Sequence, residues 1–320
     1  MKLLFVTSTR IGDAVLSTGL LDHLSKTWPD AKITVAAGYL PAPLFEAFPS
    51  VERVIPIRKR RYALHWVGLW GATMGSFWDL VIDLRGSALG WMLPAKRRKI
   101  IGKPRAGEHR VETLGRLFDL SPALSPVLFT TEPNRNKAAG IIGTGPMIGL
   151  GVTANWLPKI WPADRFVALA DAMTGGGGPF PGARLAVFGG PGEEEIARPV
   201  LDALGERAVT LVGTSPIVET AACLERCSFF VGNDSGLMHM AAALGVPTVG
   251  LFGPSPPGHY GPWGANCRAV SGDISYEELV SDPGFDHRKT ENLMAGLSVE
   301  KVFESVTGLI ADMPKTGGDS

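Results

Sequence analysis

Cysteine is scarce in this chain, with only Cys223, Cys227 and Cys267 among 320 residues. Three irregularly spaced thiols make neither a disulfide framework nor a zinc site, and they fit a reducing compartment. Cys223 and Cys227, four apart, read as packing residues on one helix face. The chain also lacks any clean apolar run of roughly 18 residues, the length a spanning helix needs. The apolar stretch in Met1–Ser8 is too short for a signal peptide, so the expected location is the cytoplasm. No Asp-x-Asp pair stands in a loop suited to a divalent ion. Net charge is absent as well, with 31 Lys/Arg against 31 Asp/Glu.

What is present is a long, turn-rich globular chain of 45% hydrophobic residues with 40 glycines and 25 prolines. Its length exceeds the size at which one core usually keeps growing, so two domains are expected. The charges divide the chain. Residues 1–145 hold 20 Lys/Arg and 11 Asp/Glu, an excess of +9, and the remainder carries −9. A basic half implies an anionic partner or surface, without saying which. The excess gathers in Arg58-Lys59-Arg60-Arg61 and Lys96-Arg97-Arg98-Lys99, which read either as solvated loops or as contacts with such a surface.

Both halves alternate strand and helix. Residues 2–7 form an apolar strand, 8–12 a loop and 13–26 a helix, followed by strands at 33–37, 53–57 and 79–84. The proline-punctuated stretch 122–133 approaches a linker. A second βα series opens with a strand at 146–152 and a helix from Pro162, a residue suited to the first helical position. It continues with strands at 185–188, 209–212, 228–231 and 248–252. The pattern predicts an α/β protein of two Rossmann-like, doubly wound domains facing a central cleft.

Val231-Gly232-Asn233-Asp234-Ser235-Gly236-Leu237-Met238-His239 places an acid, a hydroxyl, a glycine and an imidazole where a buried strand turns into a helix. Backbone N–H groups and aligned peptide dipoles make such a terminus an anion site. Gly236 permits close approach of a ligand, and His239 lies one turn further on. Plain architecture is the competing explanation, and the following Phe252-Gly253-Pro254-Ser255-Pro256 loop favours a ligand. Gly149-Leu150-Gly151 matches the start of a dinucleotide fingerprint, but Trp156, Pro158 and Pro162 delay the helix that fingerprint requires. The two glycines are read as clearing space for a ligand, and Gly189-Gly190-Pro191-Gly192 as either a plain turn or a contact.

Several of these motifs together resemble glycosyltransferase family 9, the ADP-heptose:lipopolysaccharide heptosyltransferases, over nearly the whole chain. They are Thr9-Arg10-Ile11-Gly12-Asp13, residues 79–86 from Asp79 to Gly86, His109, Lys159-Ile160-Trp161-Pro162, Gly232–His239 and Phe252-Gly253-Pro254. The resemblance implies a GT-B fold, with an acceptor-binding domain over 1–145 and a sugar-nucleotide domain over 146–298. A helix over 299–312 is expected to pack back towards the first domain, and 313–320 is expected to be a disordered tail. The implied reaction is inverting, metal-independent and free of cofactors. It moves a sugar, heptose from ADP-heptose, onto a lipopolysaccharide core or related anionic glycolipid at the cytoplasmic face of the inner membrane, with no nucleic-acid partner.

Inverting transfer needs a base for the acceptor hydroxyl proton and counter-charge for the departing diphosphate. Asp13, whose ordinary role would be to cap a helix, becomes the catalytic base. Lys159, Thr153, Asp234, Ser235, Gly236 and His239 are assigned to the donor, with Glu219 on the ribose hydroxyls. Asp234 has a second reading as a cap that orients its loop. Arg10, Gly12, Arg85 and His109 are assigned to the acceptor. His259 and Tyr260 read equally as cleft-lining or exposed. A sugar-nucleotide epimerase, a non-catalytic nucleotide-binding protein and a dehydrogenase are the alternatives. They are disfavoured respectively by the basic first half, by Asp13 and by the interrupted fingerprint. The segment Ala63–Trp78 with Trp66, Trp70, Phe77 and Trp78 reads as core or as a membrane-interface contact.

Overall fold

In a computed structural model, which describes residues 1–273, 278, 281 and 293–314, the chain forms two all-parallel sheets in two compact units. One unit is Met1–Arg135 with Pro216–Ala222; the other is Asn136–Ser215 with Cys223–Ser320. Most of the tail expected to be disordered, 315–320, lies outside the described residues.

The first sheet contains β1 (Lys2–Val6), β2 (Lys32–Gly38), β3 (Val51–Ile57), β4 (Trp78–Asp83) and β5 (Ala95–Ile100), in the order β3-β2-β1-β4-β5. Leu3, Leu4, Phe5 and Val6 of β1 are wholly buried, as a central strand covered on both faces requires. The chain proceeds from β1 to one side and later returns to the other, so β1 and β4 flank the point where strand order reverses. In open α/β sheets that is where ligands bind, at the carboxyl ends.

The helix expected over 13–26 is two helices, Ile11–Leu16 and Thr18–Thr27. Ser17 separates them: its Oγ donates to the Ala14 carbonyl at 2.7 Å and lies 2.8 Å from Thr7 Oγ1, a local bond that competes with helix continuation. The basic run Lys96–Lys99 is an edge strand, β5, and not a loop. Lys96 and Arg97 are exposed, as charged residues guarding a sheet edge commonly are. Arg98 turns inward. Its guanidinium donates to the carbonyls of Gly90, Ala95 and Leu93 at 2.9, 3.1 and 2.6 Å.

The second sheet contains β6 (Met147–Gly151), β7 (Arg184–Gly189), β8 (Ala208–Val212), β9 (Phe229–Asn233), β10 (Thr248–Phe252) and β11 (Cys267–Ser271), ordered β11-β10-β9-β6-β7-β8. Here β6 and β9 flank the reversal. Gly149 and Gly151 clear space for a side chain and not for a ligand. A Cβ at Gly149 would stand 2.8 Å from the Phe230 ring, and one at Gly151 would stand 2.6 Å from its Cζ. Helix Val299–Asp312 places Val302, Val306 and Leu309 in the second unit's core with Trp161, Phe166 and Leu297. Its apolar stripe completes the second core. Cys223 and Cys227 are buried, and burial raises the Cys227 thiol well above its usual range.

Candidate functional site

In the second unit the loops leaving β6 and β9 are tied together. The Trp161 N–H donates to Asn233 Oδ1 at 3.0 Å, and the Trp161 indole N–H reaches the Leu297 carbonyl at 2.8 Å. Trp161 is fully buried, so it anchors the loop that carries Lys159. Pro162 is the N-cap of the helix Ala163–Thr174, one place before the first helical position, because its ψ of 140° is extended.

Lys159 Nζ forms an ion pair with Asp234 Oδ2. Ser255 Oγ donates to the same oxygen at 2.7 Å, and His239 Nε2 lies 4.0 Å from Asp234 Oδ1. Asp234 therefore holds Lys159 and the Gly253–Ser255 loop rather than capping a helix. Its carboxylate is largely buried, and burial is tolerable because these partners stand around it. Ser255 was not among the expected site residues, although it follows β10 at the same sheet edge as Asp234.

The helix after β9 is Gly236–Ala243, with Ser235 at its N-cap in extended conformation and no side-chain capping bond. Ser235 Oγ, Asn233 Nδ2 and Thr153 Oγ1 are buried without a hydrogen-bond partner among the described residues. Leaving such groups unpaired costs free energy. Their clustering at neighbouring strand ends, beside a lysine and a helix N-terminus, suits a polar, anionic ligand. Gly236 is the first residue of that helix, so its N–H has no intrahelical partner. By contrast, Gly189–Gly192 is a self-satisfied turn, since Gly190 N–H donates to Glu193 Oε2 at 2.7 Å and Gly192 N–H to Glu194 Oε1 at 3.3 Å. Those carboxylates disfavour an anion there. Glu219 lies half-buried in the first turn of helix Ile217–Glu225, in the stretch that groups with the first unit. His259 and Tyr260 are partly exposed and stack edge to face, with ring centroids 4.4 Å apart.

In the first unit, the helix after β1 begins at Ile11, with Arg10 as an extended N-cap that makes no side-chain cap bond. Asp13 is thus in the first helical turn, not on the loop, and is not the cap. Gly12 occupies the second helical position. The Asp13 carboxylate is half-exposed at the positive end of the helix dipole. Arg10 is exposed.

After β4, the wholly buried Asp83 closes a turn. It accepts from Arg85 N–H at 2.9 Å, Ser87 N–H at 2.8 Å and Ser87 Oγ at 2.6 Å. Arg85 is then fixed towards the β1 loop, donating to Thr9 Oγ1 at 3.4 Å with its guanidinium 5.2 Å from the Trp66 ring centroid. His109, 7% exposed, is a helix N-cap: its Nδ1 accepts from Val111 N–H at 3.2 Å while Glu112 accepts from His109 N–H at 2.8 Å. The structure thus gives His109 a structural task, whereas Arg10, Asp13 and Arg85 all stand at the β1/β4 reversal.

The profile of glycosyltransferase family 9 (heptosyltransferase) matches residues 81–283. Lipooligosaccharide heptosyltransferase 2 of Haemophilus influenzae is 25% identical over 348 residues, covering 95% of this chain and 99% of that protein. Lipopolysaccharide heptosyltransferase 1 of Pseudomonas aeruginosa is 28% identical over 320 residues, covering 86% of this chain and 84% of its own length. Among solved structures, the family 9 glycosyl transferase from Veillonella parvula superimposes with a TM-score of 0.80 at 23% identity, covering 98% of both chains. The ADP-heptose lps heptosyltransferase II of E. coli superimposes with a TM-score of 0.76 at 22% identity, covering 97% of this chain and 99% of that one. These likenesses establish the GT-B fold. With the family profile spanning well over half of its length, the chain belongs to glycosyltransferase family 9, the heptosyltransferases, and is a glycosyltransferase.

Proposed function

We propose that the protein transfers heptose from ADP-heptose, with inversion and without a metal ion, to an anionic glycolipid of the lipopolysaccharide core at the inner membrane surface. The observation that carries this reading is the donor-side arrangement in the second unit. Lys159, the N–H groups of the helix starting at Gly236, and the unpaired Thr153 Oγ1, Asn233 Nδ2 and Ser235 Oγ converge on one sheet edge. Such a set meets the charge that grows on a diphosphate as the glycosidic bond breaks. The names of the relatives support heptose and the lipopolysaccharide acceptor.

Asp13 takes the proton of the acceptor hydroxyl while that oxygen attacks the anomeric carbon, and the nucleoside diphosphate departs from the opposite face. Glu219 holds the ribose hydroxyls. Arg10 and Arg85 meet anionic groups of the acceptor, with Gly12 allowing close approach beside them. His109 shapes the acceptor side through the helix it caps. Asp13→Asn tests the reading: turnover should fall about 10²- to 10⁴-fold, the usual share of a general base, with ADP affinity unchanged. Turnover within a few-fold of wild type removes Asp13 as the base, and loss of activity on chelation would overturn the metal-independent mechanism.

A further inference from the structure

The helix Leu64–Thr73 is apolar on both sides. Leu69 is 3% exposed in the first unit's core, and Trp66 and Trp70 pack against the cluster that contains Leu4, Val81 and Trp78. At about 3.6 residues per turn, the opposite side consists of Leu64, Val67, Gly68, Gly71, Ala72 and Met74, all exposed. None of these side chains carries a hydrogen-bond donor or a strong acceptor, although the water-facing side of a surface helix is normally polar. Leu64, Val67 and Met74 are 51%, 63% and 43% exposed, and Phe77 just beyond the helix is 63% exposed. A Cβ added at Gly68 or Gly71 would meet open space, so internal packing does not require these helix-weakening glycines. The short helix Leu89–Met92 buries Leu89 in the same core cluster and leaves Trp91 and Met92 70% and 63% exposed.

Charge complements this face. Between Glu52 and Asp79 the chain has no acidic residue, and the exposed run Arg58-Lys59-Arg60-Arg61 precedes the helix. The Arg60 N–H contacts His65 Nδ1 at 3.4 Å, which brings the run onto the first turn. An apolar strip edged by arginines matches a bilayer interface, where the strip meets the acyl boundary and the cations meet anionic headgroups.

We infer that the outward side of helix Leu64–Thr73, with Arg58–Arg61 at its edge, seats the protein on an anionic lipid bilayer. The inference rests on the reading that the acceptor is carried in a membrane. Flotation of the full chain with phosphatidylcholine vesicles, with and without phosphatidylglycerol, tests it in three proteins: wild type, Val67→Glu with Phe77→Glu, and Arg60→Gln with Arg61→Gln. Wild type should float preferentially with the anionic vesicles. Losing two arginines should lower partitioning by roughly 25-fold, about fivefold for each charge near such a surface, and the carboxylates should abolish it. Both variants should keep the wild-type melting temperature and transfer to a water-soluble acceptor fragment, while transfer to a vesicle-borne acceptor falls.

Equal flotation of wild type with both vesicle types, or flotation of the carboxylate variant like wild type, overturns the inference. So does a wild-type dimer that the carboxylate variant splits, because the strip would then face a second copy. If wild type transfers sugar to neither acceptor form, the reading of the reaction fails, and flotation alone decides this surface.

Discussion

Replacing Lys159 with methionine should produce two effects that a second substitution separates. The side chains of Lys159 and Asp234 are 20% and 7% exposed, so the pair is closer to a buried than to a surface bridge. Breaking a buried pair costs about 3–5 kcal/mol, whereas surface pairs are worth about 0–1 kcal/mol. Asp234 retains the Ser255 hydroxyl at 2.7 Å, so a loss of about 2–4 kcal/mol is expected between those limits. At about 2–4 °C per kcal/mol for a chain of this size, the melting temperature should fall by roughly 5–15 °C. ADP affinity should fall about 10- to 150-fold, equivalent to about 1.5–3 kcal/mol for a hydrogen bond to a charged group. Adding Asp234→Asn removes the stranded carboxylate and should recover most of the stability and none of the affinity. Calorimetric titration with ADP and thermal melts of wild type and the two variants check this. A Lys159→Met protein that binds ADP like wild type refutes the donor-site assignment, and a double variant no more stable than the single one refutes the pairing.

Within the basic edge strand, Arg98→Gln should cost about 1–3 kcal/mol by leaving main-chain carbonyls without their donor, while Lys96→Gln or Arg97→Gln should stay within about 0.5 kcal/mol of wild type; denaturant melts compare them. Glu108 is held down from 4.5 to about 2, chiefly by its bond to the Arg116 guanidinium. Because the folded value is depressed, this contribution is complete above the unfolded value and is lost as pH falls from 4.5 towards 2. The melting-temperature gap between wild type and Glu108→Gln should therefore close over that window, and a gap independent of pH would refute the assignment. Gly151→Ala should destabilise by about 1–3 kcal/mol through overpacking, because its Cβ would stand 2.6 Å from Phe230 Cζ; the companion change Phe230→Leu should relieve part of that cost in melts.

The two-sheet architecture was readable because the central strands are continuous apolar runs bounded by turns. Leu3–Val6 and Thr248–Phe252 are examples, and wholly buried parallel strands require such runs. The edge strands β5 and β11 escaped notice for the complementary reason. Lys96-Arg97-Arg98-Lys99 has no apolar run to reveal it, since an edge strand is half-solvated and carries charge. The motif Asn233-Asp234-Ser235-Gly236 could be placed at a strand-to-helix turn from local pattern alone, and the structure places Ser235 and Gly236 there.

Partnership was a matter for the tertiary structure. That Asp234 pairs with Lys159 across 75 positions, that Ser255 joins them, and that Gly149 and Gly151 make room for Phe230 follow from the strand order β10-β9-β6, which no local spacing encodes. The capping roles of His109 and Asp13 were decided by where the helices of the first unit begin. The histidine caps a helix and the aspartate does not, because the helix starts at Ile11 with Arg10 extended before it. Sequence periodicity determines which residues must leave water and in what local form. Which loops meet at the point where a sheet reverses is decided only when the buried strands are packed side by side.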